Sequence, residues 1–153
     1  PTTFNSGNHA IFNMPDTTSA TTGQQLFHIV LDGINGFLYI QWTGGPTAGY
    51  VYNIDNLITV TNKWYHIVCV HGFGISGSNA IYINGVKATL SAAVNPTYSV
   101  TPSTILDIWI GHTNHATYPQ WFIGNIAEVL LWDREVLQNE VRQLYIDQNN
   151  IFI

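Results

Sequence analysis

Two stretches of this chain gather the side chains that recognition chemistry needs. Gly111-His112-Thr113-Asn114-His115-Ala116-Thr117-Tyr118-Pro119-Gln120-Trp121 and Trp42-Thr43-Gly44-Gly45-Pro46-Thr47-Ala48-Gly49-Tyr50 interleave aromatic rings with short hydroxyl, amide and imidazole groups. A sugar presents an apolar C–H face and a rim of hydroxyls, so a ring platform beside such groups suits glycans. Trp42, Tyr50, His112, Asn114, His115, Tyr118 and Trp121 are therefore the candidate carbohydrate-binding residues. In the competing reading the same aromatics only pin their loops onto the body of the domain. His112 and His115 also invite a zinc reading, but two loop histidines do not complete a tetrahedral site and no spacing supplies a third ligand. His28 and His71 fall near strand ends with no accompanying Ser or Cys constellation, so neither reads as catalytic. Cys69, inside Ile67-Val68-Cys69-Val70, reads as a small buried hydrophobe, and as the lone cysteine it has no intrachain disulfide partner.

Composition narrows the partners. Charged residues make up only 8% of the 153, against roughly 25% in an ordinary soluble domain. The polar surface must come from Asn, Thr, Ser, Gln and Gly, which suits an outward-facing protein. Lys63, Lys87, Arg134 and Arg142 are scattered and form no basic stripe, which argues against nucleic acid as a partner. No apolar run approaches the roughly 20 residues of a membrane span, so membrane insertion is not expected. No signal peptide is evident, and a start at Pro1 reads as a processed or excised piece. No Asn stands in an N-x-Ser/Thr sequon with a permitted middle residue, which favours bacterial or viral surfaces over a glycosylated animal exoprotein.

The elements that must position these loops read as short strands. Leu26–Leu31 and Phe37–Trp42 flank the turn-rich Asp32-Gly33-Ile34-Asn35-Gly36, and Ile81-Tyr82-Ile83-Asn84-Gly85-Val86 sets Asn-Gly between apolar strands, where both turn residues need positive φ. Further strands are expected at Ala10–Met14, Tyr50–Ile54, Leu57–Val60, Trp64–Val70, Ile105–Ile110 and Phe122–Trp132. Their spacing of about ten residues is that of an antiparallel sandwich. Trp64, Trp109, Phe122, Trp132 and Tyr145 are expected in the core. One helix is expected near the end, beginning at Gln138 or Asn139 with Glu140 in its first turn. Its apolar stripe of Leu137, Val141, Leu144 and Tyr145 would cap one edge of the sandwich.

The order of these motifs resembles a known family. Phe122, Gly124, Ile126, Glu128, Val129, Arg134, Glu140, Val141, Leu144 and Tyr145 meet the closing pattern of laminin-G-like domains, within the concanavalin A-like lectin/glucanase superfamily. Lys63-Trp64-Tyr65-His66-Ile67-Val68-Cys69-Val70 resembles the family's Trp-x-His strand. Ile81-Tyr82-Ile83-Asn84-Gly85 resembles its hairpin, and Ile110-Gly111 the opening of its penultimate loop. The likeness runs from Gln24 to Tyr145. It implies an all-β fold, an antiparallel jelly-roll β-sandwich of the concanavalin A-like kind with one short C-terminal helix, forming one domain over 1–153. His66, at the family's His position, would be a hydrogen-bonded structural histidine. The tail Leu144-Tyr145-Ile146-Asp147 and its aromatic-containing end also look like domains at the ends of phage and environmental virion proteins.

The resemblance also frames the chemistry. Glucanases of this fold use paired carboxylates on one strand in a Glu-x-Asp-x-(x)-Glu arrangement. Glu128, Glu135 and Glu140 are the only glutamates and form no such motif, so the protein is expected not to be an enzyme. No cofactor is expected, although calcium is possible. Relatives carry it on loop oxygens, and Asp32, Asp55 and Asp107 could serve with backbone carbonyls, while Ala127 replaces the family's Asp before Glu128. The expected function is a lectin-like recognition or adhesion module that binds a glycan or surface receptor on an extracellular, cell-surface or virion-surface protein. The alternative is a virion or other assembly domain that uses the fold without sugar. Laminin-G-like domains open with a strand near the closing one, for which only 1–9 remain, with several poor strand formers. Either the chain is trimmed at Pro1, or neighbouring protein subunits cover the edge at Phe122–Trp132.

Overall fold

In the computed structural model of the protein, residues 7–15, 25–43, 48–71, 79–94, 107–113 and 120–149 are described. Nine strands and one helix lie among them: β1 Asn8–Pro15, β2 Gln25–Asp32, β3 Leu38–Thr43, β4 Ala48–Asn53, β5 Ile67–Val70, β6 Ala80–Ile83, β7 Val86–Lys87, β8 Leu90–Val94, β9 Trp109–Ile110 and α1 Gln138–Asn149. Six strands form one antiparallel sheet in the order β8-β4-β3-β2-β1-β9, and β5-β6-β7 form a second. None of the described helices is long and apolar enough to cross a membrane. The architecture is mostly β, two antiparallel sheets with a C-terminal helix, as expected of a concanavalin A-like sandwich.

The two sheets enclose the main core. Phe12, Phe27, Leu31, Leu38, Ile40 and Val51 come from one face of the large sheet and meet Ile81 and Ile83 from the small one. Phe12 and Phe27 pack edge to face at 5.9 Å. Strands β5 and β6 are apolar at every position because the small sheet is covered on both sides. Ile67, Cys69, Ile81 and Ile83 face the sandwich, while Val68, Ala80 and Tyr82 face a second cluster with Val136 and Val141. The helix therefore lies on the outer face of the small sheet, not on an edge of the sandwich. Val136, Val141 and Leu144 make that contact, and Leu137, expected in the stripe, is 55% exposed. Tyr145 packs against Gly85 and against the ring of His66 at 5.9 Å.

The two turns form for the reasons their residues give. Asn84 and Gly85 have φ of 53° and 76°, both positive as the tight hairpin requires. Asn84 then exchanges two bonds with the start of β5, its N–H donating to His66 O and its Oδ1 accepting from His66 N. Asp32 Oδ1 accepts from the N–H groups of Ile34 and Asn35, closing an Asx turn between β2 and β3. Gly36 follows at φ 73°, with its backbone against Ile58. At the helix start Glu140 Oε2 accepts from Leu137 N–H, as a third helical residue reaching back to the cap position. Both Glu140 oxygens also bind the Arg134 guanidinium at 2.8 Å. These contacts hold the Glu140 carboxyl down to about 2.

Several sequence expectations need correction. Leu57–Val60 forms no strand, because Asn56 and Asn62 turn the backbone to positive φ on either side of it. Buried Ile58 instead donates its N–H to Gly36 O. Of Trp64–Val70 only Ile67–Val70 is strand, and Trp64 is exposed. Phe122–Trp132 forms no strand either. It stands across a cleft of about 1280 Å3 from β1, β2 and β5, with Ile126 and Leu130 on its own side and Phe27 and Ile67 opposite. Trp132 is exposed, and Trp109, Phe122 and Tyr145 are half-buried, so none of the aromatics assigned to the core is fully buried. Strand β8 was not expected, since Leu90-Ser91-Ala92-Ala93-Val94 contains weak strand formers. Pairing with β4 overrides that propensity.

Candidate functional site

The stem that carries the first aromatic loop continues the β1–β9 pairing. Gly111 N–H donates to Ile11 O, Thr113 N–H to Gln120 O, and Phe122 N–H to Gly111 O. The bridge His112↔Trp121 lies between these bonds. Gln120 N–H also donates to Thr113 Oγ1, and Thr113 is buried. The result is a fixed aromatic stack. His112 and Trp121 are nearly parallel, 8° apart with ring centres at 5.1 Å, and Trp109 meets His112 edge-on at 4.5 Å. Trp121 is 60% exposed, so one indole face is available to a ligand while the backbone beneath is anchored through a 3.1 Å contact of its carbonyl with His9 Nδ1.

The stack adjoins the outer face of the large sheet, and strand register shows what lies there. Trp109 pairs with Asn13, Asn13 with His28, His28 with Gln41, and Gln41 with Tyr50. Directly opposed residues share a face, so these five form one lateral row across β9, β1, β2, β3 and β4. The adjacent row is Ala10, Val30, Tyr39 and Tyr52. Tyr39, Tyr50 and Tyr52 form an aromatic group with ring centres 6.1–6.2 Å apart. Burial raises the Tyr39 phenol well above its ordinary value, with the charges of Asp32 and Tyr50 adding to the effect. His28 is 1% exposed, and burial lowers its imidazole to about 3. It is therefore neutral at physiological pH.

The predicted site residues are placed as follows. His112 and Trp121 are brought into contact. Tyr50 is half-buried on the same sheet face, but on β4, four strands away from β9. Among the described residues, Tyr50 and the His112–Trp121 pair therefore stand at opposite ends of the sheet. Trp42 lies in β3, with its side chain outside the described residues, and Asn114, His115 and Tyr118 also lie outside them. Asn13, Gln41 and Trp109, which the sequence reading did not single out as site candidates, share this face with His28. Their signal in the sequence is a polar side chain on the outward parity of β1, β2 and β3, a parity that Asn8, Asp32 and Thr43 share.

The other candidates are engaged elsewhere. Asp32 is taken up by its turn, and Asp55 Oδ1 accepts from Thr89 N–H, which lowers its carboxyl. Asp107 lies exposed ahead of β9. No cluster of three or more His, Cys, Asp or Glu side chains suited to a metal occurs among the described residues. Glu128 accepts from Gln148, and Glu140 is paired with Arg134. Burial pushes the Cys69 thiol up to about 12, which leaves it protonated and inert. His66 is lowered, by burial first and against the opposing charge of Glu128. It is bonded through its backbone to Asn84, and its buried ring Nδ1 has no hydrogen-bond partner.

Comparison with protein families agrees with this architecture. Residues 1–142 match the Laminin_G_3 family, described as the concanavalin A-like lectin/glucanases superfamily. No match to the chain is found among the curated proteins or the solved structures. Two antiparallel sheets, a helix on the smaller one and a family match over most of the length lead to one conclusion: the chain belongs to the laminin-G-like family of the concanavalin A-like lectin/glucanases superfamily.

Proposed function

We propose that this domain is a non-catalytic glycan-recognition module of a protein displayed on an extracellular, cell or virion surface. The observation that carries the reading is the Trp121 platform, an exposed indole stacked on His112 and held by a hydrogen-bonded stem. A preset aromatic face loses little side-chain freedom when it binds the C–H face of a sugar. A glycan array probed with the intact chain and with Trp121→Ala tests it. Saturable binding by the wild type, lost in a variant with the same melting temperature, supports recognition. A flat wild-type array contradicts it.

A second reading, assembly without sugar, is favoured by the segment 122–132. Ile123, Val129, Leu130, Leu131 and Trp132 are exposed there, and an unpaired apolar segment tends to recruit another chain. In this reading the partner is a neighbouring subunit, and sedimentation separates the two. A concentration-dependent oligomer dispersed by Leu131→Lys supports assembly, and a monomer at high concentration contradicts it.

A further inference from the structure

The same tripeptide occurs twice in this chain, as Ile34-Asn35-Gly36 and as Ile83-Asn84-Gly85. Asparagine followed by glycine is chemically self-reactive. Glycine has no Cβ to shield its backbone nitrogen, so that nitrogen can reach the side-chain carbonyl carbon of the asparagine before it. Local sequence is identical at the two sites, and only the fold distinguishes them.

Asn84 is locked. Its Oδ1 accepts from His66 N–H at 3.0 Å, and its own N–H donates to His66 O at 2.8 Å. Gly85 lies against Tyr145, which an added Cβ would meet at 3.0 Å. Swinging the Asn84 side chain onto Gly85 N would strip the hairpin of its bond to β5. Asn35 is exposed at the turn between β2 and β3, and its amide reaches Asp32 Oδ1 only through a 3.5 Å contact from Nδ2. That is at the outer limit of a hydrogen bond. Gly36 N–H donates to Asp32 O at 3.0 Å, and Asn35 N–H to Asp32 Oδ1 at 2.8 Å. Opening this one turn frees the nitrogen, and an exposed turn opens far more often than the core unfolds.

We infer that Asn35 is a site of spontaneous covalent modification, cyclising onto Gly36 in the folded protein and opening to isoaspartate and aspartate, while Asn84 keeps its amide. Gly36 N gives up its proton and bonds to Asn35 Cγ. The Cγ–Nδ2 bond breaks, and Nδ2 leaves as ammonia. The cyclic imide then takes up one water from solvent. Cleavage at Cγ–N leaves an aspartyl residue, and cleavage of the former peptide carbonyl from N leaves an isoaspartyl one. In sum, an amide and water become a carboxylate and ammonium.

The product changes the fold at a defined point. It adds one negative charge beside Asp32, on a chain whose formal net charge is −5. The isoaspartyl form also inserts a methylene into the main chain just ahead of Gly36. Gly36 O accepts from Ile58 N–H at 3.0 Å, and the two backbones are in contact. Ile58 is 3% exposed and belongs to the main core. Displacing Gly36 therefore loosens a core residue, so the domain weakens as it ages.

The test is incubation of the intact wild type and Asn35→Gln at mildly alkaline pH, folded and in denaturant. Peptide mass mapping, labelling by an isoaspartyl methyltransferase and melting temperature are followed over time. In the folded wild type Asn35 should lose its amide at least about tenfold faster than Asn84, with labelling at Asn35 and a falling melting temperature. In denaturant the two sites should convert at similar rates. Asn35→Gln, whose longer side chain closes the ring poorly, should keep its melting temperature through the same incubation. If folded wild type converts Asn84 as fast as Asn35, or keeps the Asn35 amide while the denatured chain loses it, the inference is overturned. The two wild-type maps decide this even if Asn35→Gln fails to fold.

Discussion

At Gly85 the backbone φ is 76°, and a Cβ there would come within 3.0 Å of Tyr145 Cδ1. Gly85→Val therefore meets two penalties, a strained turn and a clash with the helix. It should lower stability by about 1–3 kcal/mol in denaturant unfolding, and an unchanged midpoint would show that the turn is not of this type. The Asn-Gly pair made this turn legible in the sequence, but the approach of Tyr145, some sixty residues away in the chain, was not. A second residue-scale prediction concerns His28, whose folded value of about 3 lies below its ordinary 6.5. Between these values the unfolded chain binds a proton that the folded one refuses, so stability falls as pH drops from 6.5 towards 3. His66 and His71 are lowered as well and act in the same direction. His28→Phe should remove up to about 1.4 kcal/mol per pH unit of that slope. Thermal unfolding of wild type and variant from pH 7 to pH 4 measures it, and parallel curves would mean that His28 is charged when folded.

Among the elements, α1 separates what periodicity reveals from what packing decides. The period of Val141, Leu144 and Tyr145 located the helix and its inward side, yet Leu137 is exposed and Val136, ahead of the helix, is buried in its place. The reason is the cap. Glu140 turns back to Leu137 N–H and Arg134, which swings the preceding chain so that Val136 enters the second core. Val141→Ala should cost about 2 kcal/mol, while Leu137→Ala should leave the denaturation midpoint nearly unchanged. The reverse order would place the helix on a different face. Glu140→Gln should fray the first helical turn, seen as faster amide exchange there. Wild type should show the same loosening as pH falls from 4.5 towards 2, since the folded carboxyl is depressed to about 2 and its contribution is lost on protonation. No loosening in either case would show that the cap does not hold the helix. Strands β1 to β4 were legible from alternation. Leu57–Val60 and Phe122–Trp132 show the limit of that signal, because alternation records an apolar side and not whether a partner strand is within reach.

Across the whole molecule, one sheet serves two environments. Its inner face closes the core against β5 and β6, and its outer face carries the Trp109-to-Tyr50 row between two aromatic groups. The aromatic loops were visible in the sequence as sugar-like chemistry, and His112 and Trp121 do come together. That Tyr50 lies across the sheet from them, with Asn13, His28 and Gln41 between, depends on register and strand order, which no local pattern encodes. The exposed apolar segment 122–132 is the other whole-molecule feature, and its place in the assembly reading is independent of the row. The most direct measurement is an NMR titration of the intact chain with a glycan that the array identifies. It follows the indole N–H signals of the five tryptophans. Glycan recognition on the Trp121 platform predicts saturable shifts at Trp121 and at Trp109, which meets the same His112 ring, with a common dissociation constant. Saturable binding that leaves the Trp121 and Trp109 signals unmoved, or no saturable shift with any glycan, would contradict it.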